Sequence, residues 1–127
     1  GTTKVLVHSD ANELNLPMMV LVNGNTASAA ELFTASLKDF GKAEAIGEQT
    51  FGKGIMQNTF ELPDGGAVTL TVATYQTTKG ECYHGVGITP DVIMEENYEK
   101  VDFDHPNPEQ DAQLKQAMEL LQSKISS

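Results

Sequence analysis

The chain has 127 residues, a formal net charge of -10 at pH 7, 39% hydrophobic residues and a single cysteine. This length is enough for one compact domain with a sizeable core. The acidic charge argues against nucleic acid or an anionic membrane as the main partner. One cysteine excludes an internal disulfide, and no apolar run approaches the ~20 residues that a membrane span needs.

The first residues indicate that the sequence is a piece of a longer protein. It has neither an initiator Met nor a signal peptide, and it reaches a predicted short strand at residues 5–7 almost at once. Gly1 is compatible with a cloning remnant. Residues 8–16 are polar and rich in turn-forming residues, which predicts a loop.

The first long apolar run, residues 17–23, predicts a strand that is buried on both faces, because it is continuous and contains β-branched residues. Gly24 and Asn25 end this run. A helix is predicted over residues 28–40, since apolar residues recur there at three- and four-residue spacing. Gly41 is a typical residue for a left-handed helix end.

The middle of the sequence predicts a short strand, a loop and a β-hairpin. Residues 43–46 form the predicted strand, and the loop runs through Gly54. Two further strands, over residues 55–62 and 67–75, are joined by the sequence Pro-Asp-Gly-Gly at 63–66, which is a strong turn signal.

The last third predicts an irregular glycine-rich segment at residues 80–90, a short strand at 91–94, an acidic connection at 95–109 and an amphipathic helix at about 109–125. This order of elements is that of an α/β fold with a small mixed sheet, one central helix and a C-terminal helix. No repeat or internal linker is visible, so residues 1–127 are interpreted as one domain.

Ser28 is the first candidate catalytic residue, because it lies where a strand turns into a helix. A serine at a helix start has free backbone N–H groups beside it, so the N–H of Ala29 is a natural donor to an oxyanion. Ser28 and Glu31 also match the capping box, in which the serine merely caps the helix. The residue pattern by itself leaves both roles open.

Lys53 is the second candidate, since it stands between Gly52 and Gly54 at the start of a strand. A lysine that is partly buried away from acids can be held neutral and can take the proton of a serine hydroxyl. An ordinary exposed loop lysine is the alternative. Residues 47–54 also nearly match the phosphate loop G-x-x-x-x-G-K-[ST], but Gly54 replaces its hydroxyl residue and a predicted strand follows instead of a helix.

Two more polar residues are predicted near this pair. Gln57 would share a strand face with Lys53, and its amide could orient the amine without charging it, although a plain surface glutamine fits the pattern too. Asp39 lies about 16 Å along the predicted helix from Ser28, which is too far for direct contact. Asp39 is therefore expected to be structural or to contact the lysine-bearing loop.

The sequence predicts no metal site. His8, His84 and His105 have no ligand-like spacing with the acids or with Cys82. The acids between residues 95 and 104 are interpreted as a solvated run, because they lack the spacing of a calcium-binding loop.

Four segments in order resemble the core of the C-terminal processing peptidases, also called tail-specific proteases. Each segment is weak alone, whereas four in register are highly specific. The resemblance covers about residues 17–94. The segments are VLVN followed by NTASAAE (residues 20–31), LKDFGKA (37–43), IGEQTFGKGIMQ (46–57) and GVGITPDV (85–92).

The resemblance implies a ClpP/crotonase-like fold and a serine endopeptidase that cuts proteins near their C-termini without a cofactor. Ser28 matches the nucleophile of the family, Lys53 its general base, and Gln57 the glutamine that completes the site in several members. The family commonly has serines where Thr26 and Ala30 stand here, but the central serine is kept.

The resemblance also implies parts that this sequence lacks, namely an upstream PDZ domain and an earlier core strand with the second oxyanion donor. The chain is therefore expected to be the C-terminal part of a catalytic core, with residues 17–94 carrying the core motifs and 95–127 a connection and terminal helix. The isolated fragment is expected to be weakly active or inactive.

The implied partners are protein or peptide substrates with apolar C-termini, and the implied location is extracytoplasmic: the periplasm, the cell envelope or secreted. An uncovered sheet edge could favour a homodimer. Two alternatives remain at this stage: a non-catalytic binding module of the same fold, and a nucleotide-binding protein that uses the near-match to the phosphate loop.

Overall fold

Five strands and two α-helices form the main regular structure of the part of the chain that the structure, a computed structural model, describes: residues 2–95 and 98–126. Glu96, which the sequence places in the acidic run, lies outside these residues. In chain order the elements are β1 (Met18–Val22), α1 (Ala29–Asp39), β2 (Ala43–Gly47), β3 (Ile55–Glu61), β4 (Ala67–Thr74), β5 (Val92–Ile93), a short 3-10 helix (Tyr98–Lys100) and α2 (Ala112–Ile125).

Three of the strands form a parallel sheet in the order β1-β2-β5. β2 is the central strand, and it is covered because α1 packs against it and α2 packs against both β1 and β2. Ala45 and Ile46 of β2 are consequently excluded from solvent. The loops that leave the ends of β1 and β2 carry the candidate residues.

β3 and β4 form a separate antiparallel hairpin. The prediction of two strands with a glycine turn is confirmed, and Gly65 in the turn has the positive φ of 84° that the turn requires. The prediction of one mixed sheet is wrong, because the hairpin does not join the parallel strands. Phe60 pairs with Val68 on the same face as Leu70, and all three side chains are exposed.

Both predicted helices form, but the second one begins later than predicted. α1 ends where Gly41, with a φ of 65°, donates its N–H to the carbonyl of Lys38 at 3.0 Å, as expected for a left-handed end. α2 begins at Ala112, three residues later than predicted, because the carboxylate of Asp111 accepts the N–H of Leu114 at 2.7 Å and caps the helix there. Over the described ranges, neither helix has both the length and the apolar character needed to cross a membrane.

Two strand predictions are wrong in the first part of the chain. Residues 5–7 form no strand and are exposed, since within residues 2–95 and 98–126 no strand pairs with them. β1 forms as predicted but is not buried on both faces, because Leu21 is 39% exposed while Val22 is buried.

Candidate active site

The turn after β1 fixes the backbone that leads to Ser28. The N–H of Thr26 donates to the carbonyl of Asn23 at 2.9 Å, and the N–H of Asn23 donates to Oγ1 of Thr26 at 3.0 Å. Ser28 then adopts φ 56° and ψ -117°, and no other non-glycine residue in the described ranges has a positive φ. Such a conformation costs about 1–3 kcal/mol and is typical of functional positions that the surrounding structure enforces.

Ser28 only partly fills the role of a helix cap. Its N–H donates to Oε2 of Glu31 at 2.8 Å, which is one half of the capping box. Its side chain also faces the backbone N–H of Glu31 as the other half of the capping box, although it makes no side-chain capping hydrogen bond of ordinary geometry. The N–H of Ala29 at the first helical position is exposed and has no acceptor among these residues. The start of α1 thus places the Ser28 hydroxyl beside the free N–H of Ala29 at the positive end of the helix.

Lys53 is half-buried in the loop between β2 and β3. No carboxylate of the described residues pairs with its Nζ, although four other lysines form ion pairs. The flanking glycines are required by packing. A Cβ on Gly52 would lie 2.8 Å from the backbone nitrogen of Gly87, and a Cβ on Gly54 would lie 2.9 Å from that of His84.

The Glu31 carboxylate joins the two candidate residues. Its Oε2 accepts the N–H of Ser28 and the N–H of Lys53, both at 2.8 Å. Its Oε1 accepts the hydroxyl of Thr50 and the N–H of Gly52, both at 2.6 Å. Because Ser28 and Lys53 share one oxygen, their backbone nitrogens lie within two hydrogen-bond lengths of each other. The structure forms no hydrogen bond between the Ser28 and Lys53 side chains themselves, among the residues described.

Glu31 is ionised at neutral pH although it is fully buried. Burial by itself raises the pKa of a carboxyl group, but the hydrogen bonds from Thr50, Gly52, Lys53 and Ser28 outweigh it and hold the pKa of Glu31 below its ordinary value. The sequence indicated only the local bond to Ser28. The bonds to the lysine-bearing loop cross about twenty residues of sequence, so no spacing rule predicts them.

Thr50 connects this carboxylate to the Gly-Val-Gly-Ile segment at residues 85–88. Its hydroxyl donates to Glu31 and accepts the N–H of Ile88 at 2.7 Å, and its own N–H donates to the carbonyl of Ile88 at 3.2 Å. Gly87 has a φ of 82°, and a Cβ there would overlap the carbonyl of Thr50. Three of the four sequence segments that point to a peptidase core therefore meet around Glu31.

Gln57 and Asp39 are not drawn into this network. Gln57 lies exposed in β3 opposite Thr71, next to a β-bulge, and its side chain bonds to neither Ser28 nor Lys53. Asp39 accepts the hydroxyl of Thr78 at 2.8 Å and thereby holds the segment after β4. Asp39 thus has the structural role, and the contact with the lysine-bearing loop is not formed.

Other kinds of site find little support. Within residues 2–95 and 98–126, no group of three or more histidine, cysteine, aspartate or glutamate side chains is placed to hold a metal ion. The near-match to the phosphate loop leads into β3, so the helix N-terminus that would bind phosphate is missing from its place.

A serine with a strained backbone at a turn from strand to helix is how several serine hydrolases present their nucleophile. The model of the family described as Peptidase family S41 matches residues 2–94. The chain belongs to this family.

Named relatives agree with that assignment. The chain is 37% identical over 121 residues to a carboxyl-terminal-processing protease of Synechocystis sp., which covers 95% of this chain and 28% of the relative. It is 43% identical over 89 residues to a chloroplastic C-terminal processing peptidase of Tetradesmus obliquus, which covers 68% of this chain and 19% of that relative.

A solved structure, the photosystem II D1 C-terminal processing protease, aligns with a TM-score of 0.60 and 46% identity over 62% of this chain and 20% of that one. The chain thus spans 28% of the length of the Synechocystis relative, 19% of the Tetradesmus relative and 20% of the solved structure.

Proposed function

We propose that this chain is the C-terminal part of the catalytic core of a serine endopeptidase that cleaves proteins near their C-termini by a Ser-Lys mechanism. The proposal depends most on one observation: Ser28 and Lys53 donate their backbone N–H groups to the same oxygen of Glu31, each at 2.8 Å. A buried carboxylate that ties two loops together in this way fixes the nucleophile relative to the base. The membership of family S41 supports the same assignment.

In the proposed reaction, Oγ of Ser28 attacks the scissile carbonyl carbon while the neutral amine of Lys53 takes the hydroxyl proton. The N–H of Ala29 donates to the oxyanion that forms. Lys53 then returns the proton to the leaving amine as the peptide bond breaks, which leaves an acyl ester on Ser28. A water molecule, deprotonated by Lys53, hydrolyses the ester and restores the serine. Gln57 is proposed to orient the amine of Lys53.

The same proposal carries expectations about the fold, the substrates and the location of the parent protein. We expect a ClpP/crotonase-like core, substrates with apolar C-termini and an extracytoplasmic location for the parent, and for this chain by itself a homodimer through an uncovered sheet edge.

The test is cleavage of a protein with an apolar C-terminal tail by the full-length parent. Ser28→Ala and Lys53→Ala are each expected to lower kcat by about 10³-fold or more, because removing a nucleophile or its base disables the reaction. Ser36→Ala, on the same helix, and Lys115→Ala, an exposed lysine of α2, serve as matched controls and should keep wild-type rates.

Thermal melting of all four variants is needed alongside the rates. Loss of cleavage in both site variants, with melting temperatures like those of the controls, would establish the Ser-Lys mechanism. Cleavage that persists in Ser28→Ala or in Lys53→Ala would contradict the Ser-Lys mechanism and would favour the non-catalytic binding module.

A further inference from the structure

Gln113 makes an unusual connection from α2 to the parallel sheet. It is the second residue of the helix and is 5% exposed. Its amide nitrogen donates to the carbonyl of Val22 at 2.9 Å and to the carbonyl of Ile46 at 2.7 Å. A side-chain amide has two N–H donors, and both are engaged here.

The two acceptors lie at the ends of adjacent strands. Val22 is the last residue of β1, and Ile46 is the last but one of β2. The carbonyl of Val22 also accepts the N–H of Glu48 at 3.1 Å, so one oxygen receives both the amide of Gln113 and the first residue of the lysine-bearing loop. The amide therefore bridges the points at which both functional loops leave the sheet.

Gly47 gives the Gln113 amide the room it needs. A Cβ at residue 47 would overlap both the carbonyl of Val22 and the amide nitrogen of Gln113. The φ of Gly47 is 131°, a conformation that residues with side chains rarely adopt. The sequence of β2 thus keeps this position open for a side chain that arrives from α2.

We propose that Gln113 is a positioning residue for the Ser28 and Lys53 pair, an inference that rests on the proposed function. From Val22 the chain enters the turn that ends at Ser28, and from Ile46 it enters the loop that ends at Lys53. The amide fixes the separation of these two starting points, and Glu31 fixes the loops at their far ends. Gln113 lies beyond residues 2–94, so the position of the pair depends on a part of the chain outside the family match.

Gln113→Leu in the full-length protein tests the inference, because leucine has a similar volume and no donors. Small displacements of catalytic groups cost rate steeply. We expect kcat to fall about tenfold with KM changed by less than about twofold, because substrate-binding surfaces stay in place.

The matched control is Ala117→Gly, which weakens the same helix at a buried position and touches neither carbonyl. Rates are compared at a temperature at which melting curves show both variants fully folded. A lower kcat in Gln113→Leu alone supports the inference. Equal kcat values for the two variants would overturn it.

Amide hydrogen exchange separates this inference from the proposed function. Faster exchange at Glu48 and Lys53 in Gln113→Leu, but not in Ala117→Gly, supports the positioning of the loops even if Ser28→Ala retains cleavage and the peptidase assignment fails. Unchanged exchange at both amides overturns the positioning role, whatever the activity of Ser28→Ala.

Discussion

The loop network around Glu31 and the β3–β4 hairpin are built in opposite ways. In the network, a fully buried carboxylate receives four hydrogen bonds within 2.6–2.8 Å, three of them from backbone N–H groups. In the hairpin, the strands are held by their own ladder, and Phe60, Val68 and Leu70 lie exposed on one face.

The geometry of the candidate site therefore does not depend on the burial of apolar side chains. Loops have few apolar side chains, so a buried charge that many donors satisfy can fix them instead. The hairpin has the apolar side chains but does not bury them in this part of the protein. We therefore expect the two regions to respond oppositely to polar and apolar substitutions.

Glu31→Gln should have the largest effect. An amide NH₂ group would replace one of the two oxygens and face N–H donors, which leaves buried donors without acceptors. We expect a loss of about 3 kcal/mol in the free energy of unfolding, measured by urea denaturation. Glu61→Gln at the exposed end of β3 is the matched control and should change the free energy by less than about 0.5 kcal/mol.

The pH dependence of stability is a second test of Glu31→Gln. The pKa of Glu31 is lower in the folded protein than its ordinary value of 4.5, so the unfolded chain takes up the proton first as the pH falls. The stabilisation is complete above that value and is lost as the pH falls towards the folded pKa. Stability should decline less steeply below pH 4.5 in Glu31→Gln. Equal slopes in the two proteins would contradict the role given to the carboxylate.

The comparison of Gly87→Ala with Gly65→Ala should give the next largest difference in the free energy of unfolding. Both glycines have positive φ values, 82° and 84°, so the backbone strain of alanine, about 1–2 kcal/mol, is common to both. Only at Gly87 would the new Cβ overlap another group, the carbonyl of Thr50, whereas Gly65 has open space around it. We expect Gly87→Ala to cost about 2 kcal/mol more. Equal melting temperatures would show that the packing of residues 85–88 on the loop is not tight.

Leu70→Thr should have the smallest effect of the three. Its side chain is 51% exposed, and threonine is well accepted in strands. We expect the free energy of unfolding of this chain to change by less than about 0.5 kcal/mol. Ile46→Thr, at a fully buried position of β2, is the comparison and should destabilise the chain strongly. A large loss for Leu70→Thr would mean that the hairpin face is covered after all.

Much of the fold could be predicted because its signals are local. The Pro-Asp-Gly-Gly turn, the glycine end of α1 and the spacing of its apolar residues each depend on neighbours in the sequence. Ser28 and Lys53 could be proposed as candidates from the sequence, since each lies in a short motif. The late start of α2 at Ala112 escaped prediction because the capping Asp111 follows other acidic and polar residues that fit the pattern equally well.

The parts that could not be predicted depend on contacts between distant segments. The sequence around Glu31 predicts only a local capping contact with Ser28. Nothing near it in the sequence predicts the hydrogen bonds to Thr50, Gly52 and Lys53. Gln113 resembles any polar residue of an amphipathic helix until its amide is seen between two strand ends. The separation of the strands into two sheets likewise follows from pairing choices that alternation alone does not specify.

The single Glu31 oxygen shared by the Ser28 and Lys53 amides also limits how such domains can be recombined. A chimera whose crossover falls between residues 31 and 53 would join a carboxylate from one parent to a loop shaped for another. With a crossover in the exposed loop at residues 8–16 or in the hairpin turn at 63–66, Glu31 and the Lys53 loop come from the same parent. Functional chimeras of related chains should accordingly inherit residues 28 to 53 from one parent.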